Sequence, residues 1–483
     1  MKHAERIEQA QEYFDRQSPN THHHYADYHL EPLSGWMNDP NGLVFFKDYY
    51  HIFYQCYPFA AENGAKYWGH ARTKDFCHWE HLPPALAPSE PYDRDGCYSG
   101  SAAVMEDCLV LMYTGHVDRA HPKEVQCMAV STDGIHFEKS PLNPVIAGPP
   151  PGVGTDFRDP RLWGERDDWH ALVGSQGQNG VGQVLRYASQ NGFDWTYQGV
   201  FAGGKDEALG FMWECPDYFQ MGEQAALILS PEGMNGIRHQ SIYISGPNVF
   251  PEFQQARMGL IDHGSDFYAP QLLQAPDGRT LLIGWLNLWE SSMPTKELGW
   301  VGTMTIPREV SLDKAGQLVQ RPARELERMR KAVRSAHITG QNDWTILQEN
   351  FQSGEIQLDI LDVRPVELVI FKGEHEETRI RFAREEGMLS VIREKSDSGD
   401  RSTVRSPLAD TRIRLFLDRS TLEIFANEGK SVLSTRIYPQ KTSGQMAIKV
   451  PAGDLVAVTW WSFKKILEEE DDEKNAHDWE CSY

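Results

Sequence analysis

The sequence predicts an all-β chain, a five-bladed β-propeller followed by a C-terminal β-sandwich, and three observations carry that expectation. First, segments 71–79, 129–137 and 187–195 share one pattern: a strand, a polar turn, and an aromatic residue that opens the next strand. The aromatics are Trp79, Phe137 and Trp195, 58 residues apart both times. Second, short motifs rich in acids or hydroxyls enter β-rich runs at Asp39, Ser99, Asp159, Glu214 and Asp266, in steps of 60, 60, 55 and 52 residues. Five units of that length, about four strands each, match the blade arithmetic of a propeller. Third, beyond residue 338 the apolar positions alternate with period two and turns recur about every ten to fifteen residues, the pattern of an antiparallel sandwich.

Along the chain, residues 1–27 form an N-terminal extension whose first seventeen residues are charged and helix-like. Residues 28–320 are the expected propeller, with β-like runs at 50–55, 109–113, 170–173, 226–229 and 280–285. Helical signal is nearly absent between about 30 and 310, which excludes TIM-barrel and Rossmann architectures. Segment 322–333 has helix-forming composition, so a linker helix is expected over 321–337. Segments 355–360, 378–382, 411–417, 421–425 and 446–450 supply sandwich strands within 338–466. The like-charged run 467–473 opens an acidic tail, 467–483.

Composition narrows the function. A chain of 483 residues suits two or three domains. With 47 Lys and Arg against 69 Asp and Glu, the net charge of −22 lacks what is needed to grip nucleic acid or an anionic membrane. No stretch approaches the roughly 18 apolar residues that span a bilayer. The N-terminus lacks the apolar core of a secretory signal, and no Asn-x-Ser/Thr sequon occurs. Seven cysteines, an odd number without Cys-x-x-Cys spacing, argue against a disulfide framework and a structural zinc site. A cytoplasmic protein without metal or cofactor is expected. The aromatic content of 11%, with 14 Trp, suits binding of a small carbohydrate, whose C–H faces stack on rings. The sequence dictates no oligomeric state.

Three carboxylates stand apart. Asp39, Asp159 and Glu214 each head a repeat unit and are wrapped in Trp, Cys and Pro rather than in other charges. A lone acid is ordinarily a solvated surface group, and Asp-Pro-Asn-Gly is also a good turn. An acid among apolar groups, however, has an altered pKa and is a candidate functional group. Acids converging on one channel suit glycosidic cleavage, which needs one carboxylate at the anomeric carbon and one protonated carboxyl at the leaving oxygen.

The motifs WMNDPNG (36–42), FRDP (157–160) and ECP (214–216), in this order and spacing, resemble glycoside hydrolase family 32, which holds invertases, sucrose-6-phosphate hydrolases, inulinases and levanases. Supporting matches lie at 68–71, 78–82, 98–102, 266–271 and 307–309, and segment 416–425 resembles the family's sandwich-domain signature. The resemblance implies a five-bladed propeller plus sandwich and a retaining β-fructofuranosidase acting on sucrose or sucrose-6-phosphate. It implies Asp39 as nucleophile, Glu214 as acid/base and Asp159 as transition-state stabiliser, with Cys215 tuning the acid/base. Asn38, Gln55, Trp68, Ser99, Arg158, Tyr268 and Trp285 match positions that line the fructose pocket in relatives; for Trp68 and Trp285, plain blade packing is the competing reading. Short fructo-oligosaccharides are the alternative substrate, and a non-catalytic sugar-binding propeller is the alternative from another class.

One position departs from the invertase-like pattern: Asn63 stands where relatives often carry a Trp, which bears on the pocket rim and the leaving group. The surrounding segment looks more like intracellular bacterial sucrose-6-phosphate hydrolases. Lys66, Arg72, Lys74 and Arg94 are candidates to meet a 6-phosphate, although surface solvation is the commoner fate of such residues. His22, His23 and His24 suggest a metal, but three adjacent histidines are not expected to face one ion. Segment 174–182 lacks the context of a nucleotide site and reads as a loop of the third unit.

Overall fold

A computed structural model describes residues 1–463 apart from 19, 205 and 396–399, so the expected acidic tail lies outside the described residues. Five antiparallel sheets form within residues 35–322. Their first strands are Gly35–Phe46, Gly96–Met105, Val153–Glu165, Met212–Met221 and Tyr268–Gln274, and we read each sheet as one blade. These first strands touch in cyclic order, the fifth returning to the first. The short strand Trp300–Val301 pairs parallel to Gly35 and Trp36, so late sequence also joins the first sheet.

Apolar clusters between neighbouring sheets hold the ring together. Phe53, Trp68, Leu111 and Tyr113 join the first sheet to the second. Ile52, Tyr54, Leu281 and Ile283 join the fifth back to the first. Each such fully buried side chain contributes about 1.5–3 kcal/mol. The 58-residue repeat is the turn before a sheet's outer strand. In each copy a hydroxyl and an Asx side chain cap successive backbone N–H groups: Thr73 with Asp75, Ser131 with Asp133, and Ser189 with Asn191. The aromatic that follows immediately precedes strands Glu80–Leu86, Glu138–Lys139 and Thr196–Gly203.

Helix His3–Asp15 packs Ala10 and Phe14 against the cluster joining the first and fifth sheets. The expected linker helix is corrected. Only Arg324–Met329 turns helically, as a 3-10 segment, and Arg330–Thr339 is an edge strand paired with Leu455–Phe463. Segment 174–182 is a hairpin rather than an extended loop, with strands Asp168–Gly177 and Gly182–Ser189 meeting at a turn.

The C-terminal sandwich has two six-stranded sheets, with Ile356, Leu358, Leu368, Ile380, Leu415 and Ile448 buried between them. Its strand Ser431–Arg436 faces the propeller. There Arg308 pairs with Asp262 at 2.9 Å and Glu423 at 2.6 Å, and His29 bridges Asp418 at 2.8 Å and Glu423 at 3.0 Å, all fully buried. Asp266, which heads the fifth repeat unit, accepts bonds from Thr435 and Arg436, so this acid serves the seam. Gly264 lies so close to Ser434 that a Cβ would collide with its backbone. Gly264→Ala is therefore expected to cost about 1–3 kcal/mol through overpacking. Calorimetry should show a lowered thermal midpoint with the far-ultraviolet CD spectrum unchanged.

Candidate active site

The site forms where the first strands are irregular. Each of the five carries one extra residue relative to its partner, between Met37 and Pro40, Tyr98 and Gly100, Arg158 and Arg161, Glu214 and Asp217, and Tyr268 and Gln271. Such bulges bend a strand and re-aim its side chains. Pro40, Pro160, Pro216 and Pro270 explain why they occur here, since proline cannot donate to a ladder and is tolerated in a strand mainly at bulges. Asp159, Cys215 and Ala269, each preceding a proline, take positive φ of 63°, 47° and 49°. That backbone strain is typical of functional positions.

Two residues beyond the bulges lies a second ring: Asn41, Ser101, Arg161, Asp217 and Gln271. Ser101 donates to the Pro160 carbonyl at 2.8 Å and Arg161 pairs with Asp217 at 2.7 Å. Gln271 reaches the Gly100 carbonyl at 2.7 Å, crossing the channel. This bonded floor leaves a cavity of about 330 Å³ above it, into which Asp39, Asp159 and Glu214 all project.

Asp39 accepts hydrogen bonds from Asn38 Nδ2 at 3.0 Å and Ser99 Oγ at 2.8 Å. Asp159 lies deeper and accepts the Cys215 backbone N–H at 3.0 Å. The Cys215 thiol sits 3.7 Å from both Asp39 Oδ2 and Asp159 Oδ2, so one group links the two carboxylates. Glu214 Oε1 accepts Arg158 Nε at 2.9 Å and Nη2 at 2.8 Å, while Oε2 accepts the Tyr268 hydroxyl at 2.7 Å. Arg158 is itself held by Asp156 and Glu232, each at 2.9 Å.

Crowding and like charge set the protonation states. Burial, and then the Glu214 charge, raise Asp39 above the ordinary carboxylate range, against the bonds from Asn38 and Ser99 and the Lys66 charge. Burial and the Glu214 charge also raise Asp159, which Arg158 opposes. Burial and the surrounding carboxylates keep Cys215 a thiol and Tyr268 a phenol, so both can donate. Burial and the Glu214 charge push Glu232 up to about 7.

Among the sequence-derived site residues, Asn38, Asp39, Gln55, Ser99, Arg158, Asp159 and Glu214 line this one cavity. Tyr268 is buried and touches the cavity only through its bond to Glu214. Trp68 and Trp285 are corrected: both are fully buried packing residues, Trp68 against Phe53 and Tyr113, and Trp285 against Trp36 and Trp289. The tryptophan that does line the cavity is Trp289, stacked on Trp36 at 5.6 Å. Asn63 lines it too, together with Lys66, His116, Lys123 and Glu124. Tyr98 stacks on His116 at 4.1 Å within the same wall.

Of the four suggested phosphate contacts only Lys66 reaches the cavity. Arg72 is held by Glu80 at 2.6 Å beneath the Tyr49 ring, Lys74 lies over that same ring, and Arg94 pairs with Asp95. The expectation about the three histidines also needs correction, because ligating atoms of His22, His23 and His24 all lie within 4.8 Å of one another. A tight turn, Tyr25 N–H to His22 C=O at 2.9 Å, folds the rings together, and His23 and His24 both meet the Pro439 carbonyl. Burial and then neighbouring positive charge lower His22, and burial lowers His23.

Comparison with known proteins adds an independent line. The family model for the glycosyl hydrolases family 32 N-terminal domain matches residues 29–322, and that for the family 32 C-terminal domain matches residues 323–462. The chain is 41% identical to a sucrose-6-phosphate hydrolase of Escherichia coli over 89% of its own length and 92% of that protein's. It is 40% identical to a raffinose invertase of Escherichia coli, covering 89% and 93%. Among solved structures, a variant of a Bombyx mori GH32 beta-fructofuranosidase in complex with sucrose superposes with a TM-score of 0.84 at 33% identity, covering 95% of this chain and 98% of that one.

Proposed function

The chain belongs to glycosyl hydrolase family 32, and from that premise we propose a retaining β-fructofuranosidase mechanism in which Asp39 is the nucleophile and Glu214 the acid/base. The activity is hydrolysis of sucrose or sucrose-6-phosphate. One observation supports the assignment: both carboxylates line the one cavity, Asp39 fixed by Asn38 and Ser99 and Glu214 fixed by Arg158 and Tyr268, in the motif order of the family.

Asp39 attacks C2 of the fructosyl unit as the C2–O bond breaks, and Glu214 gives its proton to the departing oxygen. A fructosyl ester on Asp39 results. Glu214, now a carboxylate, takes a proton from water, whose oxygen attacks C2 and returns Asp39 to its free form. Asp159, held by the Cys215 N–H, places negative charge beside the sugar ring as it becomes oxocarbenium-like. Arg158 and Tyr268 fix the Glu214 carboxyl so that it serves both steps.

The cavity wall carries the cations Lys66, Lys123 and Arg158 among five acids. Arg158 is committed to its carboxylate partners, whereas Lys123 pairs among the described residues with Asp156, at 2.7 Å, and is about a quarter exposed. Lys123 is the residue we assign to a 6-phosphate at the rim. We place the enzyme in the cytoplasm: Cys56, Cys97, Cys127 and Cys215 are buried thiols, in keeping with a reducing compartment. Among the described residues no helix is long and apolar enough to cross a membrane.

The test compares fructose release from sucrose, sucrose-6-phosphate and a short fructan. Turnover of either disaccharide above that of the fructan is expected. Lys123→Ala should lower kcat/KM for sucrose-6-phosphate about tenfold relative to sucrose, the worth of one charge-assisted hydrogen bond. An unchanged ratio removes Lys123 from phosphate recognition. Binding of all three sugars without release favours the non-catalytic alternative.

A further inference from the structure

Lys66 is an unusual occupant of the pocket wall. It is only 7% exposed, yet among the described residues no carboxylate lies within ion-pair distance of its ammonium. The ammonium is enclosed instead by aromatic faces, 5.2 Å from the Trp36 ring and 5.7 Å from the Trp289 ring. Such cation–π contacts hold a charge without neutralising it. Its backbone carbonyl accepts the Cys97 N–H at 2.9 Å, tying the residue to the second sheet.

The ammonium donates to Asn38 Oδ1 at 2.8 Å, and Trp36 Nε1 donates to the same oxygen at 2.7 Å. Two donors on Oδ1 leave the Asn38 amide a single orientation, with Nδ2 turned to Asp39 at 3.0 Å. A flipped amide would instead set oxygen against carboxylate. We propose that Lys66 is a positioning residue for the nucleophile, acting through the Asn38 amide. The inference rests on Asp39 being the nucleophile.

The second chemical step shows what the relay does. When water attacks the fructosyl ester, the C2–O bond to Asp39 breaks and its electron pair returns to Asp39 as negative charge. The Asn38 N–H, polarised by a cation on the other end of the amide, stabilises that charge as it forms. Burial lowers Lys66 to about 7, while the Asp39 charge and Cys56 work in the opposite sense, so the charge needed by the relay is fully present only below neutral pH.

The test is a double-mutant cycle of Lys66→Met and Asn38→Ala, with steady-state and rapid-quench kinetics on sucrose. Lys66→Met should lower kcat on the order of 10- to 100-fold with KM unchanged or lower. Glucose should appear in a burst ahead of fructose, because breakdown of the ester becomes slow. With Asn38 already Ala, Lys66→Met should do little more, since its route is gone. Full additivity of the two changes overturns the relay. A raised KM with unchanged kcat makes Lys66 a substrate contact instead. A lowered thermal midpoint without the burst reduces it to packing. Failure of the underlying reading is separately visible, as wild-type turnover persisting in Asp39→Asn.

Discussion

Asp39→Asn is expected to lower sucrose turnover on the order of 10⁴-fold or more, the scale lost when a nucleophile is removed from a catalytic unit. The substitution is nearly isosteric and can keep its bond to Ser99, so sugar binding should survive while the ester can no longer form. Glu214→Gln should be comparably inactive on sucrose for a different reason: the leaving oxygen receives no proton. A fructosyl donor whose leaving group needs no protonation separates the two. It should restore the first step in Glu214→Gln and leave Asp39→Asn inactive. The pH profile follows with a definite sign. Asp39 must be ionised to attack, and burial raises its pKa. The acid limb of kcat/KM should therefore lie above the ordinary aspartate range, with activity falling as pH drops through it.

Glu423→Gln is expected to destabilise the seam between propeller and sandwich by about 3–5 kcal/mol, the cost of breaking a buried ion pair from one side. Glu423 accepts Arg308 Nη2 at 2.6 Å, His29 Nε2 at 3.0 Å and the Ile306 N–H at 2.8 Å. Loss of its charge takes one of two carboxylate partners from each buried cation, leaving Asp262 to Arg308 and Asp418 to His29. The seam is also pH-sensitive. Burial alone would lower His29, but hydrogen bonds to Asp418 and Glu423 outweigh it and raise the imidazolium to about 9. The folded pKa lies above the unfolded value, so this stabilisation is complete below about pH 6.5 and fades as pH rises towards 9. Thermal midpoints of the wild type should fall across that window, and those of Glu423→Gln should start lower and fall less. A variant as stable as wild type at pH 7 contradicts the account of the seam.

The propeller was legible because its sheets repeat one turn chemistry and one bulge, each with a residue signature. Thr or Ser followed two residues on by Asp or Asn marks the outer turn, and Asp-Pro or Cys-Pro marks the inner bulge. The convergence of Asp39, Asp159 and Glu214 on one cavity was legible for the same reason. Residues 330–339 were not, because Arg-, Lys- and Ala-rich composition favours helix locally while pairing with Leu455–Phe463 decides the conformation. That strand is largely exposed, so it shows no alternation to read. Trp285 closes the strand Thr280–Trp285 and Trp289 lies in the turn that follows, and no periodic signal separates them. Lys66, Lys123 and Glu124 enter the cavity from positions outside the repeated motifs, where a charged residue looks like any solvated one until the blades are assembled. The histidine triplet failed for a related reason, since extended backbone would splay the rings and a turn gathers them.

The most direct test of the account is mass spectrometry of the enzyme quenched during turnover of sucrose, with the modified peptide sequenced. A fructosyl group in ester linkage to Asp39 is the predicted result, with its amount increased in Lys66→Met. Turnover accompanied by no adduct and by inverted configuration in the product, or an adduct on Asp159 or Glu214, would contradict the assignment of Asp39 as nucleophile.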